Sequence, residues 1–411
     1  MLNAFECNFK HKSDKSQLNL FDDNSHLPAG KSTLGIYTKS CNPPDAETIE
    51  RIKETREKRY RNQELARKLI GGRLEVCGRI PAANFVGGNY VPNVEKLSAI
   101  KILEKTENFL FGGLMRCGNV WTCPCCASVI TEFRRNELQT AHKNALEKSL
   151  YVSMLTLTVR HYAKDCLQDV LDGISHALRL LKNRKAFKRF EKEIQLFGMV
   201  RTLEVTSGEN GWHPHFHILI FSRKEITAEN WKLNLLTQWQ HACIGAGLPC
   251  PNEHGVDLVN GEWAAAYCTK WGIEEEMSKG HIKQGKKNGH VSPFGLLNHY
   301  AEGDEKAGAK FQEFAKCFKG KRQLVWSKGL KAALGLNDEK TDEEILAEAE
   351  KGAKVFMTIS YDDYKLLIAL DKRAECLDMC RLGPVAVRAF LDSLWRDLLK
   401  FPFGINQPNG C

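Results

Sequence analysis

The sequence predicts an α+β fold in which a central antiparallel β-sheet is flanked by helices. Extended, β-branched stretches and amphipathic helical ones follow one another through residues 151–276 in the order strand, helix, strand, strand, helix, helix. The two consecutive strands are joined by "GENG" (208–211), which carries hairpin-turn chemistry. A hairpin inside such an order closes an antiparallel pair, and the helices then cover the sheet.

Each element has its own justification. "YVSMLTLTVR" (151–160) is apolar and β-branched, as a buried strand requires. "CLQDVLDGISHALRLLKNRKAFKRFEKE" (166–193) spaces its Leu and Ile residues helically and crowds Lys and Arg into its second half. "LFGMVRTLEVTS" (196–207) and "WHPHFHILIFS" (212–222) are the strands on either side of the turn. "AENWKLNLLTQWQHACIGAG" (228–247) is an amphipathic helix closed by glycine, and "GEWAAAYCTKWGIEEE" (261–276) reads as a further helix.

Around this region the chain divides by composition. Residues 1–45 are polar and aperiodic and read as a disordered lead-in. Residues 46–110 form a charged N-terminal helical region, opening with an exposed or weakly docked helix over 45–70. Residues 111–150 are cysteine-rich, 151–335 hold the sheet, and 336–411 combine an acidic linker with a mainly helical C-terminal segment. "KVFMTIS" (354–360) is a further strand candidate there.

At 411 residues the chain is long enough for more than one domain and a full-sized core. A net charge of +9, from 59 Lys and Arg against 50 Asp and Glu, favours an anionic partner such as nucleic acid. No apolar run reaches the roughly 18 residues of a membrane span, and the first residues lack a signal-peptide core. A cytoplasmic protein with no membrane contact is expected, and most of the 15 cysteines are then free thiols.

"HPHFH" places His213, His215 and His217 on one face of an extended strand. Neighbouring neutral imidazoles suit a divalent cation. A carboxylate completes such a site while leaving positions open for substrate, and across the hairpin Glu204 lies near His215 or His217. Further along, Tyr267 and Lys270 stand three residues apart and share one helical face. A phenol becomes a useful nucleophile when a metal polarises the phosphate it attacks and a lysine steadies the developing charge.

"MLTLTV" (154–159), "EVTSGENGWHPHFHIL" (204–219) and "AAYCTK" (265–270) together resemble the three ordered motifs of HUH endonucleases. More narrowly they are similar to the single-tyrosine initiators of plasmid rolling-circle replication, a resemblance that extends over about 110–335. It implies an HUH-type palm with His215 and His217 as metal ligands and Glu204 as the third. It leaves His213 as a further candidate ligand, a supporting group or a DNA contact. It also implies Tyr267 as nucleophile, Lys270 as its helper and Mg²⁺ or Mn²⁺ as the ion. The implied partner is single-stranded or hairpin-extruded DNA at the plasmid double-strand origin. The implied product is a 5′-phosphotyrosine with a free 3′-OH primer. A host helicase, a DNA polymerase and a homodimer partner belong to the same expectation. Some relatives carry a glutamate one turn before the tyrosine, where this chain has Trp263, so the terminating step is open.

Two further sets of residues stand out. Cys117, Cys123, Cys125 and Cys126 lie in "CGNVWTCPCC", and the C-x-x-C of Cys123 and Cys126 suits a structural Zn²⁺. Cys117 adds a third thiolate, and Cys125, Cys77 and His142 are the candidates for the fourth ligand. Lys182, Arg184, Lys185, Lys188 and Arg189 are candidates to neutralise DNA phosphates. The competing readings are a relaxase or single-strand transposase using the same site, and a non-catalytic zinc-containing DNA-binding regulator.

Overall fold

Charge density does not keep the first helix out of the interior. The computed structural model describes residues 46–86, 89–92, 99–105, 108–260 and 290–400; the expected lead-in over 1–45 falls outside them. Helix α1 (Ala46–Ile70) is followed by the short α2 (Arg73–Val76), the hairpin of β1 (Ala83–Val86) and β2 (Asn89–Pro92), and strands β3 (Ala99–Lys105) and β4 (Asn108–Gly112). Asn62, Gln63, Ala66 and Arg67 of α1 are buried, so the helix is docked, contrary to the exposed helix its sequence suggests. It docks by ion pairs as well as by apolar contact, with Glu64 gathering Arg67, Arg79 and Arg373. An apolar-periodicity argument overlooks this kind of face.

The central sheet contains the three strands the sequence predicts and two more that sequence patterning does not single out. Helix α3 (Pro124–Glu147) leads into β5 (Tyr151–Thr158), α4 (Leu167–Asn183) and α5 (Lys185–Glu193). Then come β6 (Leu196–Gly208), β7 (Gly211–Ser222), α6 (Ala228–Gly245) and β8 (Val256–Asn260). The chain resumes with α7 (Pro293–Ala301), α8 (Glu305–Phe318), β9 (Leu324–Trp326) and α9 (Leu330–Ala333). The five strands β5 to β9 pair antiparallel in the order β8-β5-β7-β6-β9.

Alternation gives this sheet two different faces. Leu155, Leu157, Phe216, Ile218 and Ile220 turn to one side and pack with Ile174, Leu178 and Trp239 of α4 and α6. Val152, Met154, Val200, Leu219 and Phe221 turn to the other and pack with Leu138, Ala141 and Ala145 of α3 and Leu330 of α9. His213, His215 and His217 continue that second face beyond the apolar core, each half-buried between buried neighbours.

A second sheet joins distant parts of the chain. Helix α10 (Asp342–Glu350) and strand β10 (Lys354–Ser360) precede α11 (Tyr361–Ala369), α12 (Arg373–Met379) and α13 (Pro384–Lys400). β10 pairs with β3 and β3 with β4, so residues 99–112 and 354–400 share one core around Ile100, Phe111, Leu367 and Leu391. The acidic stretch expected as a linker includes α10, capped by Thr341 and burying Ile345 and Leu346. Among the described residues no helix is long and apolar enough to cross a membrane.

Candidate active site and cysteine centre

The turn between β6 and β7 determines which side the histidines face. Gly208 pairs with Gly211 across Glu209 and Asn210, and from there Thr206 stands opposite His213, Glu204 opposite His215 and Thr202 opposite His217. Gly211 has φ +86°, and a Cβ there would lie 2.8 Å from the Tyr162 carbonyl oxygen. Glycine suits this left-handed, crowded position. A slip of one residue would turn every histidine to the opposite face of the sheet.

Glu204, His215 and His217 converge. The Nε2 atoms of both histidines lie 3.5 Å from Glu204 Oε2. His215 Nδ1 bonds the His213 carbonyl at 3.3 Å; a carbonyl only accepts, so Nδ1 carries a proton and Nε2 is the nitrogen turned to Glu204. His217 Nδ1 lies 2.9 Å from Thr156 Oγ1 on β5, the residue directly across from it. With Nδ1 engaged by that hydroxyl, Nε2 is again the nitrogen turned to Glu204. Burial opposes ionisation of Glu204, but charge and hydrogen bonds from protons on His217 and His215 outweigh it and hold the carboxyl well below the usual carboxylate range; a bound cation would take the place of those protons. Two ring nitrogens and one negative charge therefore face a common point, a donor set that can chelate a divalent cation. Imidazole nitrogens suit Mn²⁺ better than the harder Mg²⁺, which prefers oxygen.

His213 belongs to a neighbouring arrangement. His161 Nδ1 donates to the Asn210 carbonyl at 2.8 Å, which leaves His161 Nε2 to accept from His213 Nδ1 at 2.8 Å. Burial, together with His215, His161 and His290, pushes His213 down to about 3, so it stays neutral. It is not one of the three converging groups Glu204, His215 and His217. Thr156 and His161 support the histidine row and are not among the candidate residues read from the sequence. Thr156 has a signal, because counting by twos along "MLTLTV" puts it on the same face as Thr158. His161 lies beyond the strand, where no periodicity marks it.

Tyr267, Lys270 and Trp263 lie outside the described residues. The described chain leaves β8 at Asn260 and resumes beside the histidines. The His290 ring is 5.9 Å from that of His213, and Val291 exchanges backbone hydrogen bonds of 2.8 and 2.7 Å with Ser207.

The basic residues fall on the other side of the sheet. Lys182, Arg184, Lys185, Lys188 and Arg189 sit on or between α4 and α5, which cover the face opposite the histidines. Arg184 is engaged with Gln238 Oε1 at 2.7 Å and faces His241 at 3.3 Å. Lys185, Lys188 and Arg189 are exposed.

The cysteines form a second centre. Cys77, Cys117, Cys123 and Cys126 are buried, and their sulfurs all lie within 4.8 Å of one another. Cys77 is thus the fourth member, and Cys125 is not part of the group. Next to Cys126 on the helix, Cys125 is turned from it by about 100°. His142 is also excluded, since it lies about 24 Å further along α3. Hydrogen bonds from the other three sulfurs hold Cys77 well below the ordinary thiol range, and the sharing pushes Cys117 up. Burial raises Cys123, and the bond with Cys117 raises Cys126.

Known proteins are similar to this chain in sequence. No solved structure matches the chain. "Protein rep" of Streptomyces lividans is 25% identical over 57% of this chain and 67% of its own length. "Neomycin resistance protein" of Streptomyces cyanogenus is 30% identical, covering 26% of this chain and 30% of that protein. "Protein rep" of a Bacillus species is 30% identical over 26% of this chain and 35% of its own length, so the chain spans about a third of these last two relatives. The family described as Replication protein matches residues 115–368, which take in both the cysteine centre's helix and the histidine hairpin. That match covers more than half of the 411 residues, and the chain belongs to the Replication protein family, as a plasmid replication initiator.

Proposed function

We propose that this protein is a site-specific DNA nicking and joining enzyme of the HUH class that starts rolling-circle replication at a plasmid origin. The observation that carries the reading is the convergence of His215 Nε2 and His217 Nε2 on Glu204, each at 3.5 Å. When bound there, Mg²⁺ or Mn²⁺ supplies a Lewis acid for the scissile phosphate. The chain's own residues do the rest. Thr156 holds His217 in the tautomer that presents Nε2. Glu204 and the two histidines fix where the phosphate oxygen sits.

Tyr267 is the nucleophile in this reading. Its phenolic oxygen bonds to the phosphorus as the bond from phosphorus to the 3′ oxygen breaks. The phenolic proton leaves, the departing oxygen gains one, and a 3′-OH primer and a 5′-phosphotyrosine result. Lys270 offsets charge at the phenol, and the phosphotyrosine keeps the bond energy needed for rejoining. The order of the motifs, with the tyrosine after the histidines, favours an initiator over a relaxase. The basic surplus of +9 fits a DNA partner.

The test is nicking of single-stranded origin fragments by the full chain across a Mn²⁺ titration. His217→Ala is expected to cut the rate by about 100-fold or more, the loss typical of a disabled catalytic group. Equal rates for both proteins at every Mn²⁺ concentration would remove the triad from the chemistry.

A further inference from the structure

We propose that Cys77, Cys117, Cys123 and Cys126 form a tetrathiolate zinc site that clamps α1 and the C-terminal helices onto the helix supporting the histidine sheet. This goes beyond the nicking reading and does not depend on it.

The distances fit one ion. Zinc held tetrahedrally at about 2.3 Å from each sulfur needs sulfurs about 3.8 Å apart. Cys77 and Cys123 are 3.7 Å apart, Cys77 and Cys126 3.6 Å, and Cys117 and Cys126 3.7 Å. A disulfide would need about 2.05 Å, so none of these pairs is bonded. The surroundings donate hydrogen bonds to sulfur, as thiolates require. The Cys117 amide donates to Cys77 Sγ at 3.3 Å and the Cys126 amide to Cys123 Sγ at 3.5 Å. Gln63 Nε2 reaches Cys77 Sγ at 3.6 Å and Cys123 Sγ at 3.5 Å.

Charge is managed too. Four thiolates around Zn²⁺ carry a net double negative charge, and Arg116 stands close by. Its guanidinium, next in sequence to Cys117, also meets Glu350 at 4.0 Å. All four ligand positions come from buried side chains, so no position is left for water or substrate, and the role is structural. Soft sulfur also separates this site from the harder cation expected at Glu204.

The clamp follows from where the ligands sit. Cys77 ends α2, Cys117 follows β4, and Cys123 and Cys126 open α3. The far half of α3 packs beneath β5 and β7 through Leu138, Ala141 and Ala145. On the other side, Gln63 Oε1 accepts from Arg373 of α12 at 3.3 Å, and Arg373 pairs with Glu64 at 2.7 Å. One ion therefore ties together segments from the N-terminal helix, the cysteine-rich segment and the C-terminal unit.

The experiment is metal content and hydrogen exchange on the full chain, purified in reductant without chelator. About one zinc per chain is expected in the parent protein and in Cys125→Ser, with loss in Cys77→Ser and Cys123→Ser. Gln63→Leu keeps the ligands and is expected to weaken zinc about 10–100-fold. His217→Ala should keep its zinc, which separates this centre from the nicking site.

Cys→Ser variants can fail to fold, so the parent protein is also reconstituted with Co²⁺. The sulfur-to-cobalt charge-transfer bands and tetrahedral visible bands of a tetrathiolate are expected. Stripping the zinc should raise exchange in α1, α2 and α12 well above that in β5 to β7. Absence of both zinc and cobalt–thiolate bands, or full zinc content in folded Cys77→Ser, would overturn the site. Uniform exchange on stripping would overturn the clamp.

Discussion

Thr156 and Gly211 have no direct part in the proposed phosphoryl transfer, yet the grouping of Glu204, His215 and His217 rests on both. Thr156 fixes the ring of His217 by a 2.9 Å contact to Nδ1. Thr156→Val keeps the shape and removes the hydroxyl, and is expected to raise the Mn²⁺ concentration for half-maximal binding about 10-fold or more. Calorimetric titration checks it; an unchanged affinity would assign the orientation of His217 to packing alone. Gly211 acts through the backbone. With φ +86° and the Tyr162 carbonyl oxygen only 2.8 Å from where a Cβ would stand, Gly211→Ala should lose about 1–3 kcal/mol of stability. Urea denaturation measures this, and a neutral result would mean that the turn relaxes without cost. His213 is legible in sequence as part of the row but not in its role. Its partner His161 comes from beyond another strand's end, and only tertiary pairing shows that the two rings share a proton at 2.8 Å.

Elements built from local alternation are readable in the sequence, and those built from distant pairing are not. The β6–β7 hairpin, its turn and its histidine face follow from period-two patterning and a Gly-rich turn, both local. The register that sets Glu204 opposite His215 needs the structure, because a turn of uncertain type leaves a one-residue choice. Strand β3, "AIKILEK", lies where composition suggests a charged helical region. Its partner β10 is some 250 residues away, so no turn signal announces the pair. The docking of α1 is hidden for a different reason, since its buried face carries Asn62, Gln63 and Arg67. Arg373→Met should test that polar docking. It strips Glu64 of one buried partner and is expected to cost about 2–3 kcal/mol, read from the urea midpoint. A stability equal to the parent's would show that Arg67 and Arg79 suffice for Glu64.

At the scale of the molecule the sheet separates two chemistries. The triad lies on the face shared with α3, and the basic run of α4 and α5 covers the other. A stretch of DNA bound at Lys185, Lys188 and Arg189 would therefore differ from one bound at the triad. Replacing all three by Gln should lower the salt dependence of duplex binding by about 0.9 in log–log slope for each phosphate no longer neutralised. Mn²⁺ affinity at Glu204 should not change. An unaltered slope would leave these residues as a solvated face. The cysteine centre, α1 and the C-terminal unit meet at the N-terminal end of α3, away from the half of that helix that packs under the sheet.

The proposed function requires Tyr267 to form a covalent bond to DNA with the help of a cation held by Glu204, His215 and His217. The most direct measurement mixes the full chain with labelled single-stranded origin fragments, in Mn²⁺ or EDTA, and resolves protein–DNA adducts on a denaturing gel. An adduct is expected in Mn²⁺ alone, mapped by peptide sequencing to Tyr267, abolished in Tyr267→Phe and strongly reduced in His217→Ala. An adduct that persists in Tyr267→Phe, or tight DNA binding with no adduct under any metal, would contradict it.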